Sequence, residues 1–110
     1  MKVKNYRDVE AVSEAPGAAM RWVIDDKDGA PNFALRIVEL EPGATSPFHN
    51  HDWEHEVFVL SGTGAVKDKD EGLTPIGVGD AVLLLPDEKH QFLNQGEDTL
   101  RFVCVIPNLE

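Results

Sequence analysis

Short apolar runs with a turn signal at nearly every gap constrain this chain more than any other feature. The runs Met20–Ile24, Phe33–Leu40, Val57–Leu60, Ala81–Leu85 and Leu100–Ile106 are each followed or preceded by turn residues, among them Ala15-Pro16-Gly17, Glu41-Pro42-Gly43, Ser61-Gly62, Gly79-Asp80 and Gly96-Glu97-Asp98. Pro placed before Gly presets a tight turn, and β-branched and aromatic residues favour the strands between. Many short strands with regular punctuation predict an all-β sandwich or barrel. Only residues 7–15 look tolerant of helix. Ala65–Val66 resumes a strand before the charged tip Lys67–Glu71.

At 110 residues the chain amounts to one domain, 1–110, with a leader or edge strand at 1–24. Hydrophobic residues make up 42%, enough to bury a core. Twenty acidic against ten basic residues give a net charge of −10 with no basic cluster. Such a surface repels phosphate backbones and anionic lipid, so neither nucleic acid nor membrane is an expected partner. The longest apolar run, Ala81–Pro86, falls far short of a span, and MKVKNYRDVE lacks a secretory apolar stretch, so a cytoplasmic location is expected. A single cysteine, Cys104, excludes an internal disulfide framework and a thiolate-rich zinc site.

Chemistry enters with the histidines. Three of the four fall in His49-Asn50-His51-Asp52-Trp53-Glu54-His55, and the fourth is His90. Residues two apart on a strand share a face, so His49 and His51 can aim at one point, and His55 is in phase if extended geometry holds. A lone histidine is ordinarily a surface or capping residue. Three in phase, with a fourth beyond another strand and turn, point instead to a divalent ion, for which imidazole is a good ligand.

These residues also carry a family resemblance. Gly43, five residues, His49-x-His51, His55, then six residues to Gly62 resembles the first cupin motif. Gly79, Pro86, His90 and Asn94 resemble the second. The motifs and the stretch between them, 43–94, would form the metal-binding core of a double-stranded β-helix (jelly-roll) cupin barrel. Two departures stand out. Where such proteins most often carry a glutamate, the count back from Gly62 lands on His55, with Glu56 one residue later. Strand alternation allows only one of the two inward, and the Gly62 anchor selects His55. The second departure is Pro86-Asp87-Glu88-Lys89-His90, one residue shorter than usual and without its glycine. The resemblance is to four-histidine manganese-binding cupins. It implies one divalent metal per chain (Mn, Fe, Ni, Cu or Zn, with Mn or Fe favoured) on His49, His51, His55 and His90, and a homodimer, with the leader and its Met20 and Trp22 as the candidate exchanged edge.

Alternation in the last strand sets Phe102, Cys104 and Ile106 on one face, and Arg101 on the other should meet water. Phe102, Cys104 and Ile106 are therefore candidate lumen-lining residues, as is Phe92, in phase with His90. Arg36, inside an apolar run, either faces solvent or enters the lumen as an anion clamp. Nothing in the sequence designates a catalytic residue. Four protein ligands leave open positions on a six-coordinate ion, which suits a dioxygenase-like oxidoreductase acting on a small oxygen-bearing metabolite. The alternatives are a metal-loaded binding or sensor module and a metal-dependent isomerase; the lack of an evident acid–base pair weighs against the last.

Overall fold

The computed structural model describes residues 1–108. Nine strands run β1 (Val12–Ala15), β2 (Ala18–Ile24), β3 (Phe33–Leu40), β4 (His55–Ser61), β5 (Thr63–Lys67), β6 (Leu73–Gly77), β7 (Ala81–Leu84), β8 (Gln91–Leu93) and β9 (Leu100–Pro107). The only helical elements among the described residues are single 3-10 turns at Tyr6–Asp8 and Asp26–Asp28. Residues 12–15, within the stretch expected to tolerate helix, instead form β1, because antiparallel pairing with β2 outweighs a weak local preference. Besides β1, two short strands escaped the apolar-run criterion. β6 contains Pro75 and is mostly exposed, and β8 spans three residues.

The strands form a six-stranded sheet in the order β1-β2-β3-β9-β4-β7 and a three-stranded sheet in the order β6-β5-β8. The turn spacing predicted an all-β sandwich or barrel, and the jelly roll is the form that the family resemblance implied. β4 and β9 show the alternation that closes a sheet over a core: Val57, Val59, Leu100, Phe102, Cys104 and Ile106 are buried and their neighbours face out. Full burial of a side chain such as Phe102 or Leu40 contributes about 2–3 kcal/mol. On the outer face, Glu39 of β3 accepts from Arg21 of β2 at 2.7 Å and Arg101 of β9 at 2.8 Å, tying three neighbouring strands.

Gly62 joins β4 to β5 with φ +83°, and a Cβ there would lie 2.5 Å from the Thr99 carbonyl oxygen. Glycine is required both by the left-handed backbone and by the close approach of β9. The position therefore fixes where β4 ends, and with it the phase of His55. Asn94 is the second anchor. Its buried amide donates to the carbonyls of Leu40 and Asp98, both at 2.8 Å, and accepts from Gly96. Gly43 N–H donates to the Asn94 carbonyl, so the two glycine–histidine motifs are held together behind the site.

Candidate metal centre

His49 and His51 precede β4 in an extended segment, His55 opens β4, and His90 directly precedes β8. An isolated antiparallel bridge pairs His49 with His90. The ring nitrogens of His49, His51 and His90 lie within 4.8 Å of one another, and the Nε2 atoms of His49 and His51 are 3.0 Å apart. Nitrogens bound to one ion at about 2.1 Å sit at roughly this spacing. His55 stacks its ring on His51, centroids 4.8 Å apart and planes 9° from parallel, and lies 5.2 Å from the His90 ring. Its neighbour Glu56 is exposed, as strand alternation requires.

The donor set fits a divalent transition metal. His90 Nδ1 lies 2.8 Å from the Glu88 carbonyl and donates to it, which leaves the Nε2 lone pair free for an ion. The buried Nε2 of His55 has no hydrogen-bond partner, an orphan that a cation would satisfy. Burial, together with the positive charge of Arg36 and the neighbouring imidazoles, pushes His55 down to about 3. Burial and the other imidazoles push His49 down to about 4 and lower His51 as well. Rings held neutral are rings able to coordinate. The shortened loop before His90 turns at Asp87, whose φ is +65°, a conformation aspartate tolerates better than most residues. Asp87 N–H donates to the His51 carbonyl, so this loop steadies both motifs.

The cluster borders a cavity of about 250 Å³. Arg36, Phe92, Phe102 and Cys104 line it, whereas Ile106 points inward but packs in the core away from the cavity wall. Arg36, for which the sequence left two orientations open, is buried and turned inward. Cys104 accepts a hydrogen bond from Arg36 Nη2 at 2.8 Å and lies 3.6 Å from His55 Nδ1; burial raises its thiol, with the Arg36 charge opposing. Sequence reasoning missed Trp22 and Met20 in the wall and Glu14 beside them. β2 pairs with β3 of its own chain, which sets Trp22 opposite Arg36 and Met20 opposite Val38. In that register Ala18, Met20 and Trp22 share a face with Leu40, Val38 and Arg36. Trp53 stacks on His51 at 4.5 Å and packs against the core.

Fold and cluster together define a small jelly-roll barrel with an imidazole-lined lumen. The chain belongs to the cupin domain family, whose model matches residues 36–106. It is similar to the polyketide cyclase RemF from Streptomyces resistomycificus, with 35% identity and a TM-score of 0.88 over 97% of this chain and 79% of that one. A predicted oxalate decarboxylase from Thermotoga maritima matches at 25% identity and a TM-score of 0.81, over 98% of this chain and all of the other. An oxalate-binding protein, also from Thermotoga maritima, is 33% identical over 70 residues, 63% of this chain; the match spans 57% of that protein's length.

Proposed function

We propose that this chain is a divalent-metal enzyme whose substrate presents two closely spaced oxygens, and that the reaction is a redox-neutral ring closure of an enolisable 1,3-dicarbonyl compound. The observation that carries this reading is the convergence of His49, His51 and His90 at one end of an apolar, aromatic-walled cavity. The proposed ligand set is those three with His55. A bound divalent ion would supply Lewis acidity, polarising a carbonyl and easing loss of a proton from the carbon beside it.

The chain's own residues shape the rest. Trp22, Trp53, Phe92 and Phe102 offer flat apolar surface to a planar enol and exclude water from it. The cavity has about the volume of eight water molecules at ~30 Å³ each, room for the reacting end of a substrate. Among the described residues, Glu14 is the one carboxylate in the wall and the group available to take the proton. Ring closure then forms a carbon–carbon bond from that carbon to a carbonyl carbon of the same molecule. The carbonyl oxygen takes a proton, and no oxidant is consumed.

The dioxygenase-like reaction expected from the sequence begins with the same substrate binding. The likeness to a polyketide cyclase over 97% of the chain favours the redox-neutral course. Two relatives named for oxalate fit the broader class, since oxalate too carries paired oxygens. The test is turnover of a linear 1,3,5-triketone by metal-loaded protein in an oxygen-electrode cell. A cyclised product with no oxygen uptake supports the proposal. Uptake of one oxygen molecule per product restores the dioxygenase, and recovery of unchanged but bound triketone reduces the protein to a binding module.

A further inference from the structure

We infer that Arg36 is the seat for an anionic oxygen of the ligand, so that the cavity takes organic anions, carboxylates above all, in preference to neutral molecules of the same shape. Arg36 sits mid-strand on β3 and is only 8% exposed. The register sets it between Trp22 of β2 and Cys104 of β9, so its side chain crosses the middle of the sheet's inner face.

What surrounds the guanidinium is unusual for a buried charge. Nη2 donates to the Cys104 sulfur at 2.8 Å and Nη1 to the Met20 sulfur at 3.3 Å. Its central carbon lies 5.1 Å from the Trp22 ring. Thiol and thioether are weak acceptors, and neither carries the counter-charge that a buried guanidinium ordinarily finds. Among the described residues the ion pairs are Lys4–Asp28, Arg21–Glu39 and Arg101–Glu39, and none includes Arg36. Glu14, on the same wall, is exposed and forms no ion pair with it.

The unpaired donors cluster. Three buried side-chain atoms lack a partner among the described residues: Arg36 Nε, Trp53 Nε1 and His55 Nε2. All three belong to residues that line this one cavity. Two of them are N–H donors, and a buried donor without an acceptor is costly unless a ligand completes it. The chemistry that completes a fixed, planar, positively charged donor is a carboxylate or an enolate oxygen. The wall thus stays cationic inside a protein of net charge −10, which concentrates selectivity for anions at this point.

This inference rests on the cavity being the ligand site proposed above, but not on a metal being bound. It is tested with malonate and its neutral counterpart malonamide, titrated calorimetrically into metal-free protein, alongside melting curves and metal content before stripping. Wild type is expected to bind malonate at least tenfold more tightly than malonamide. Arg36→Met should abolish that preference, keep the metal content of wild type, and melt at the same or a higher temperature, because it removes an unpaired buried charge. Arg36→Lys, which keeps the charge but not the fork, should retain part of the preference. The inference is overturned if wild type shows no preference, or if Arg36→Met binds malonate within twofold of wild type. Wild type that holds no metal yet binds malonate through Arg36 would sink the metal-enzyme reading and leave this one standing.

Discussion

His49 and His90 exchange both backbone hydrogen bonds of an antiparallel bridge, His49 N–H to the His90 carbonyl at 3.1 Å and the reverse at 2.9 Å. Residues so paired project their side chains to one side of the sheet, which brings a ring from each motif to the same place. The bridge makes the candidate centre a junction between the segment before β4 and the segment before β8, and coordination there should lock both.

Removing metal is therefore expected to loosen that junction. Chelator treatment should lower the melting temperature and speed hydrogen exchange at the His49 and His90 amides relative to amides in β9. Equal exchange with and without metal would contradict the ligand assignment.

Acid should destabilise the metal-free protein in a defined window. His55 and His49 have folded-state values of about 3 and about 4, below the roughly 6.5 of an unfolded chain. Between those limits the unfolded state binds more protons, so stability rises with pH through the window and is lost as pH falls from about 6.5 toward 4. Glu39 behaves differently. Burial would raise its carboxyl, but hydrogen bonds from Arg21 and Arg101 hold it below its ordinary value. Its share of stability is fully present above the ordinary carboxylate range and is lost only in stronger acid. Urea midpoints that stay flat from pH 7 to pH 5 would refute the histidine part.

Glu39→Gln should cost about 1–2 kcal/mol, since it weakens two ion pairs that are partly exposed and so partly screened. In a domain of this size that is roughly a 5–10 °C fall in melting temperature. Metal content should not change, because Glu39 lies on the outer face; loss of metal would mean that the strand trio shapes the lumen directly.

The homodimer implied by the family resemblance remains a proposal, and the structure offers a face for it. Phe58 and Leu83 are 48% and 56% exposed on adjacent strands β4 and β7, next to half-buried Val103 and Val105. An apolar sheet face of this kind favours a partner. Light scattering should give twice 12.1 kDa for wild type and a single chain's mass for Phe58→Glu. Monomeric wild type would remove the proposal.

Much of the barrel was legible because turn chemistry is local. Gly17, Gly43, Gly62 and Gly79 do adopt positive φ, and the apolar runs beside them became β2, β3, β4 and β7. β1, β6 and β8 were not legible, since their strand character comes from pairing with β2 and β5 and not from their own residues. The grouping of His49, His51 and His90 was readable from their spacing together with the glycine-anchored motifs, although the chain bends at Asp52 and Trp53 between His51 and His55. The inward turn of Arg36 and the entry of Trp22 into the wall were not, because both depend on the β2–β3 register across the 25–32 loop.

Elemental analysis of protein purified without added metal tests the central claim most directly, run beside His51→Ala and Glu56→Gln. About one divalent ion per chain is expected in wild type and in Glu56→Gln, whose side chain faces outward, and less than about a tenth of that in His51→Ala. A metal-free wild type, or full occupancy in His51→Ala, would contradict it.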